Sequence, residues 1–230
     1  MKLTSVLTGT FVTFAACQTP APYTDEKSGI TFNTFQHSSG MFFGLALPQN
    51  TTGNTDFIAT IGGKGTGYSG VSLGSGMLGK LLFISWPNSQ SVLSSFRTTT
   101  YVLTVYWILE SFTTEKTNSN YGSPAVATGT FSQVPIANGT YINSTHWTYT
   151  FLCSKCIQTD GTTFKATDTA PSFGYVLNPT APIQKTNAGA TVSKHTSQGQ
   201  AVFDLSKAKN SKFDTWRGWA KPVIARRFDT

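Results

Sequence analysis

Apolar residues at every second position of short segments constrain the fold of this 230-residue chain more than any other feature. The clearest of these segments contains Met41, Phe43, Leu45 and Leu47, and Pro48 ends it. Successive side chains of an extended strand point to opposite faces, so a period of two predicts a strand with one buried face.

Similar segments recur along the chain and are separated by turn-rich stretches. They cover 57–61, 81–86, 101–109, 146–153, 173–177 and 201–205. The sequence has no internal repeat, and we expect no helix before residue 205. Charged residues make up 12% of the chain, about half the usual share, which argues against a coiled coil, a helical bundle or a charged disordered chain. Many short strands at this spacing predict an all-β protein with an antiparallel two-sheet β-sandwich.

The first 17 residues have the pattern of a secretory signal peptide. Met1-Lys2 is a short basic start, the stretch that follows is apolar or small, and cleavage after Cys17 would make Gln18 the N-terminus. The alternative is a buried N-terminal strand. No other run of about 18 apolar residues predicts a transmembrane helix. We therefore expect a secreted, extracellular protein whose main domain spans 18–206.

Of the three cysteines, removal of the signal peptide leaves Cys153 and Cys156. Two cysteines in an oxidising compartment predict a disulfide between them. A Cys-x-x-Cys pair also occurs in zinc knuckles and in thioredoxin-like redox motifs. A zinc knuckle needs another pair of ligands. A thioredoxin-like motif needs the start of a helix, whereas residues 147–153 alternate as in a strand. Three sequons, at Asn50, Asn138 and Asn143, are candidate glycosylation sites in an exported protein.

Positive charge is concentrated near the C-terminus. Residues 184–230 contain nine Lys or Arg and three Asp or Glu, against eight and seven in 1–183. We interpret 207–230 as a basic extension that packs its tryptophans, Trp216 and Trp219, on the sandwich. The alternative is a docking surface for an acidic partner or a polysaccharide. Nucleic acid is not an expected partner of a secreted protein.

Two motifs in the glycine-rich stretch 62–79 suggest enzymes. Gly65 to Gly70 matches the G-x-G-x-x-G of dinucleotide-binding proteins, but no helix start follows to hold a pyrophosphate. Gly70 to Gly74 matches the G-x-S-x-G nucleophile elbow of serine hydrolases. The corresponding triad would be Ser72, His195 and either Asp160 or Asp168. We keep a secreted serine hydrolase as the alternative function, although the elbow also needs a helix.

Met77 and the histidines are the candidate metal ligands. Met77 falls in a predicted loop before the strand at 81–86, and its thioether is a neutral, soft ligand for iron. His37, His146 and His195 have no spacing typical of a zinc site. His195 lies in a polar loop just before an apolar segment.

Three blocks of the sequence resemble one protein family. They are 70–86 (GVSLGSGMLGKLLFISW), 142–147 (INSTHW) followed by 151–156 (FLCSKC), and 23–32 (YTDEKSGITF). Together they are similar to the cytochrome domain of fungal cellobiose dehydrogenases, over roughly 18–206. Since no flavin domain follows, the chain looks like a stand-alone member, similar to the iron reductase-type cytochromes of the same family.

The resemblance implies an immunoglobulin-like or DOMON-like sandwich that holds haem b without a covalent bond. By position, Met77 and His195 would be the axial ligands of the haem iron, and His146 would not be a ligand. The resemblance also implies the disulfide between Cys153 and Cys156. A third alternative is a haem-free sandwich that binds carbohydrate through exposed aromatic residues.

The function that the resemblance implies is electron transfer in lignocellulose degradation, without a flavin of the protein's own. An external flavoprotein or small molecule would supply single electrons. A lytic polysaccharide monooxygenase, ferric iron or a quinone would accept them. We expect such a protein to be a monomer.

Overall fold

Two β-sheets face each other across an apolar core in the computed structural model, which describes residues 19–99 and 122–221. The predicted signal peptide at 1–17 and the predicted strand at 101–109 lie outside the described residues. The described strands are β1 (Ala21–Thr24), β2 (Thr31–Gln36), β3 (Phe42–Pro48), β4 (Phe57–Gly63), β5 (Tyr68–Ser72), β6 (Leu81–Asn88), β7 (Ser91–Thr98), β8 (Ala125–Val126), β9 (Ser132–Pro135), β10 (Tyr141–Ile142), β11 (Trp147–Ser154), β12 (Ser172–Asn178), β13 (Ser197–Val202) and β14 (Lys209–Asn210). The described helices are two 3-10 turns, at Ala137–Gly139 and Leu205–Ala208, and α1 (Phe213–Arg217).

The strands form two sheets of different order. In the first sheet the order is β1-β2-β3-β4-β11-β10, with β9 beside β11 and β14 beside β3. In the second sheet it is β13-β12-β5-β6-β7-β8. Within the described ranges every strand pair is antiparallel except β14 with β3. The two-sheet antiparallel sandwich predicted from the alternation is therefore confirmed.

Strand β3 shows how the alternation produces two different faces. Phe43, Leu45 and Leu47 are buried in the core between the sheets, as the period of two predicts. The ring centroids of Phe43 in the first sheet and Phe83 in the second lie 5.7 Å apart across this core. Ala46 points the other way and belongs to a separate apolar cluster on the outer face of the first sheet.

The C-terminal segment covers that outer face. Helix α1 buries Phe213 and Trp216, and the guanidinium of Arg217 lies 2.8 Å from the carboxylate of Asp56. The side chains under the helix come from four strands and two connecting segments: Ile30, Phe32, Ala46, Ile58, Ile136 and Leu152. Ala220 forms an isolated antiparallel bridge with Ile136, so the segment up to this residue packs on the sandwich. Residues 222–230 lie outside the described residues. None of the described helices is long and apolar enough to cross a membrane.

The packing of α1 predicts that Trp216 is a structural residue and that its neighbour in sequence, Trp219, is not. Trp216 is 3% exposed, whereas Trp219 is 39% exposed. We expect Trp216→Ala to lower the free energy of unfolding by about 3–5 kcal/mol, because it leaves a cavity under the helix. Trp219→Ala is the matched control and should cost less than about 1 kcal/mol. Equal losses in guanidinium chloride titrations of the two variants would contradict this account of the tail.

Candidate functional site

A cavity of about 570 Å³ lies on the outer face of the second sheet. In β6, Phe83 points into the core while Leu82 and Ile84 point the other way and line the cavity. Gly70 and Ser72 of β5 line the cavity, while Val71 between them is in the core. The same period of two that builds the core therefore builds the floor of this cavity.

Glycines keep that floor flat. A Cβ on Gly70 would come within 2.9 Å of a methyl group of Val176, on the neighbouring strand β12. A Cβ on Gly174 would come within 3.2 Å of the carbonyl oxygen of Gly76 and 3.3 Å of the Cβ of Ser72. A side chain at Gly174 would fill the space between the sheet and the loop after β5, and one at Gly70 would crowd Val176. The floor can therefore accept a broad, flat ligand.

Met77 lies in the loop between β5 and β6, as the sequence predicts, and it lines the cavity. The hydroxyl of Thr99 donates a hydrogen bond of 2.7 Å to the carbonyl oxygen of Met77. Gly76 and Gly79 on either side have φ of 74° and 65°, a left-handed conformation that glycine adopts without strain. This local geometry holds Met77 at the edge of the cavity.

His195 lines the same cavity from the loop between β12 and β13. This loop, residues 179–196, has no regular secondary structure. Four buried side chains of the second sheet donate hydrogen bonds to its carbonyl oxygens. The pairs are Trp86 to Lys185 at 2.8 Å, Arg97 to Ala190 at 2.8 Å, Tyr68 to Ser193 at 2.6 Å and Asn178 to Lys194 at 2.7 Å. The backbone that carries His195 is therefore fixed to the sheet on both sides of Ala190.

The imidazole of His195 is in an environment that favours its neutral form. Partial burial, and secondarily the positive charge of Lys194, lower the pKa of His195 below its ordinary value. Neutral imidazole has a free electron pair on one ring nitrogen and is the form that binds metals. The cavity thus brings together a neutral imidazole and a thioether from distant parts of the sequence.

The hydrolase triad is not assembled. Ser72 also lines the cavity, but it ends a strand and is not on a strand-to-helix turn. Asp160 accepts hydrogen bonds from Thr162, and Asp168 accepts one from the backbone N–H of Lys165, both away from the cavity. The dinucleotide motif fails for a similar reason, because its last residues enter β5 and no helix follows. Ser72 Oγ is buried and has no hydrogen-bond partner within the described ranges.

The other two histidines lie elsewhere. His37 and His146 both line a second, smaller cavity of about 250 Å³ on the outer face of the first sheet. The Nδ1 atom of His37 is 2.8 Å from the hydroxyl of Ser39. No group of three or more His, Cys, Asp or Glu side chains that could hold a metal ion occurs in the part of the chain that the structure describes.

The disulfide between Cys153 and Cys156 is present, with an S–S distance of 2.07 Å. It is buried at the end of β11, and neither cysteine lines the large cavity. The backbone N–H of Lys155, inside the disulfide loop, donates to a carboxylate oxygen of Asp56 at 2.7 Å. The pair is therefore part of the scaffold. The candidate glycosylation sites Asn50, Asn138 and Asn143 are all exposed.

Sequence reasoning missed the side chains that hold the two loops of the site. They are Tyr68, Trp86, Arg97, Thr99 and Asn178. No pattern in the sequence marked them, because each of their partners is a backbone carbonyl oxygen. The fold of the sheets decides which carbonyl oxygens accept these hydrogen bonds.

Comparisons with known proteins agree with this architecture. A family model described as the cytochrome domain of cellobiose dehydrogenase matches residues 23–215. The cytochrome b domain of pyranose dehydrogenase from Coprinopsis cinerea has a similar structure, with a TM-score of 0.71 and 19% identity over 88% of this chain and 96% of that one. The cytochrome domain of Myriococcum thermophilum cellobiose dehydrogenase matches with a TM-score of 0.71 and 23% identity, over 90% of this chain and 99% of that one. The two structures support the fold, and the family match continues past residue 206.

The hydrogen bond from Tyr68 predicts a pH dependence of stability. Burial raises the pKa of Tyr68 to about 12, whereas a tyrosine in an unfolded chain ionises near pH 10. The unfolded chain therefore loses this proton first, and the contribution of Tyr68 to stability falls between about pH 10 and 12. Tyr68→Phe should cost about 1 kcal/mol at pH 7 and should make the alkaline fall shallower.

Unfolding free energies from urea titrations at pH 7, 10 and 12 measure both effects. Tyr23→Phe is the control at pH 7, because Tyr23 is 41% exposed and its hydroxyl has no hydrogen bond to the loop that carries His195. Burial and nearby carboxylates raise the pKa of Tyr23 as well, so the alkaline fall is compared between Tyr68→Phe and the parent protein. An alkaline fall of the same size in Tyr68→Phe and in the parent protein would contradict the assignment.

Proposed function

The chain belongs to the family of the cytochrome domain of cellobiose dehydrogenase, which binds haem b, and from this premise we propose that Met77 and His195 are the two axial ligands of its haem iron. One observation supports this assignment above all others. The thioether of Met77 and the imidazole of His195, which the resemblance selects by position, line one cavity. They come from two loops far apart in the sequence, the β5–β6 loop and the β12–β13 loop.

The residues present fit a haem. The volume of about 570 Å³ is within the range of roughly 300–1,000 Å³ that is usual for cofactor sites. Leu82, Ile84 and Val192 give the cavity apolar walls, and the glycine floor leaves room for a flat macrocycle. Methionine and histidine together are a ligand pair typical of electron-transfer cytochromes.

Haem bound by two protein side chains is a one-electron carrier, since no coordination position remains open for oxygen or substrate. Each residue of the site has a distinct task in this function. Met77 would favour the ferrous state, because a thioether is a softer and less basic ligand than a second imidazole. His195 would bind in its neutral form, which its lowered pKa favours.

The rigidity of the site suits electron transfer. The hydrogen bonds from Trp86, Tyr68 and Asn178 hold the backbone of the His195 loop, and that of Thr99 holds the backbone at Met77. A ligand that stays in place when the charge of the iron changes needs little reorganisation. Leu82 and Ile84 keep water away from the buried side of the cavity.

We further propose that the protein is secreted and exchanges single electrons with external partners. The donor would be a flavoprotein or a small reductant, and the acceptor a lytic polysaccharide monooxygenase, ferric iron or a quinone. Support comes from the signal-peptide pattern at 1–17 and from the exposed side chain of Leu78 at the cavity. Among the described residues that line the cavity, Lys194 is the one whose side chain is positively charged at neutral pH, which favours partners with negative charge.

Visible spectra of the purified protein test the ligand assignment. The parent protein reduced with dithionite should give a sharp Soret band and resolved α and β bands, as six-coordinate low-spin haem does. Met77→Leu should keep haem but change the coordination and lower the reduction potential. His195→Ala should weaken haem binding more strongly, since it removes the more basic ligand.

His146→Ala is the matched control, because His146 lines the other cavity, and it should leave the spectra unchanged. A parent-type spectrum in His195→Ala would refute the assignment of that ligand. A colourless parent protein that also fails to take up added haem would refute the cytochrome.

A further inference from the structure

Arg97, near the end of β7, is a buried cation on the same face of the sheet as the large cavity. It is 2% exposed. It lies directly opposite Leu82 of β6 in the antiparallel register, and residues opposite each other share a face. Leu82 lines the cavity, and so do Thr98 and Thr99, the two residues that follow Arg97. The guanidinium is therefore beside the site.

Within the described ranges, every hydrogen-bond acceptor of this guanidinium is neutral. Nε donates to the hydroxyl of Ser95 at 2.7 Å, and Nη1 donates to the carbonyl oxygen of Pro124 at 3.0 Å. Nη2 donates to the carbonyl oxygens of Ala188 at 2.9 Å and Ala190 at 2.8 Å. The ion pairs of the described residues are Lys207 with Asp204 and Arg217 with Asp56, so no carboxylate there neutralises Arg97.

With no anionic partner among the described residues, a buried charge in this position is expensive for the fold. Burying a cation without an anionic partner costs free energy that hydrogen bonds to neutral groups recover only in part. Burial lowers the pKa of Arg97, but a guanidinium stays protonated at physiological pH. A neutral donor could hold the carbonyl oxygens of Ala188 and Ala190 at a smaller cost. The positive charge itself therefore calls for an explanation.

We propose that Arg97 raises the reduction potential of the haem by placing a fixed positive charge beside it. This inference rests on the proposed function, because it requires haem in the cavity. Reduction adds one electron to the haem, and a nearby cation stabilises the reduced form more than the oxidised form. Because Arg97 is buried, the interaction passes through a medium of low dielectric constant and is screened little by salt.

Arg97 acts here through its charge, and three variants separate that charge from its hydrogen bonds. Arg97→Gln removes the charge. Ser95→Asp keeps the guanidinium but places a carboxylate against its Nε. Ser95→Ala removes the same hydrogen bond without changing any charge. Lys185→Gln removes an exposed charge from the loop that carries His195 and is the surface control.

The measurement is the midpoint potential of the haem protein by spectroelectrochemistry, at low and at high salt. We expect Arg97→Gln and Ser95→Asp to lower the potential at both salt concentrations. The reduction equilibrium constant should fall on the order of tenfold, which is about 59 mV for one electron. Ser95→Ala should keep the parent potential, and any effect of Lys185→Gln should disappear at high salt.

A parent-like potential in Ser95→Asp, or a fall of equal size in Ser95→Ala, would overturn the role of the charge. If Arg97→Gln does not fold, the two Ser95 variants decide the question, since both keep the guanidinium. Parent protein without haem would refute the proposed function itself. Haem-loaded variants with unchanged potentials would refute only the role of Arg97.

Discussion

The second sheet has buried side chains on both faces, and the arrangement of the molecule follows from the need to cover both of them. Phe83 and Phe173 face the first sheet, while Leu82 and Ile84 face the opposite side. An antiparallel sheet usually exposes one polar face to water. Here the outer face is covered by the loop that carries His195 and, in the function we propose, by a haem. In the proposed function, the loop and the haem thus form a third layer on the outer face of the second sheet.

A covering loop without secondary structure cannot satisfy its own carbonyl oxygens. The sheet beneath supplies the donors, from Tyr68, Trp86, Arg97 and Asn178, and each of them contributes a side chain that is buried and points outward. These bonds stabilise the fold and position His195 at the same time. Stability and function therefore depend on the same contacts, and mutations at the loop supports would affect both.

More of the fold than of the candidate site could be predicted from the sequence. Alternation alone predicted the two sheets, since Phe43, Leu45 and Leu47 are buried on one face as expected. The loop position of Met77 was predicted from the residues, and the pairing of Met77 with His195 came from the family resemblance. The donors to the loop were not predictable, because a contact such as that of Arg97 with Ala190 joins segments far apart in sequence. A backbone acceptor leaves no pattern of side chains that could reveal it.

The position of the C-terminal segment limits what its positive charge can do. Helix α1 packs on the outer face of the first sheet, so Lys212 and Arg217 lie across the sandwich from the cavity. Packed sheets are about 10 Å apart, and the helix lies beyond the first of them, whereas the screening length at physiological salt is about 8 Å. These charges would contribute little to the attraction of a partner at the cavity. Lys194, at the cavity itself, is placed to contribute more, and the part of the C-terminal segment around α1 is better understood as the cover of the first sheet.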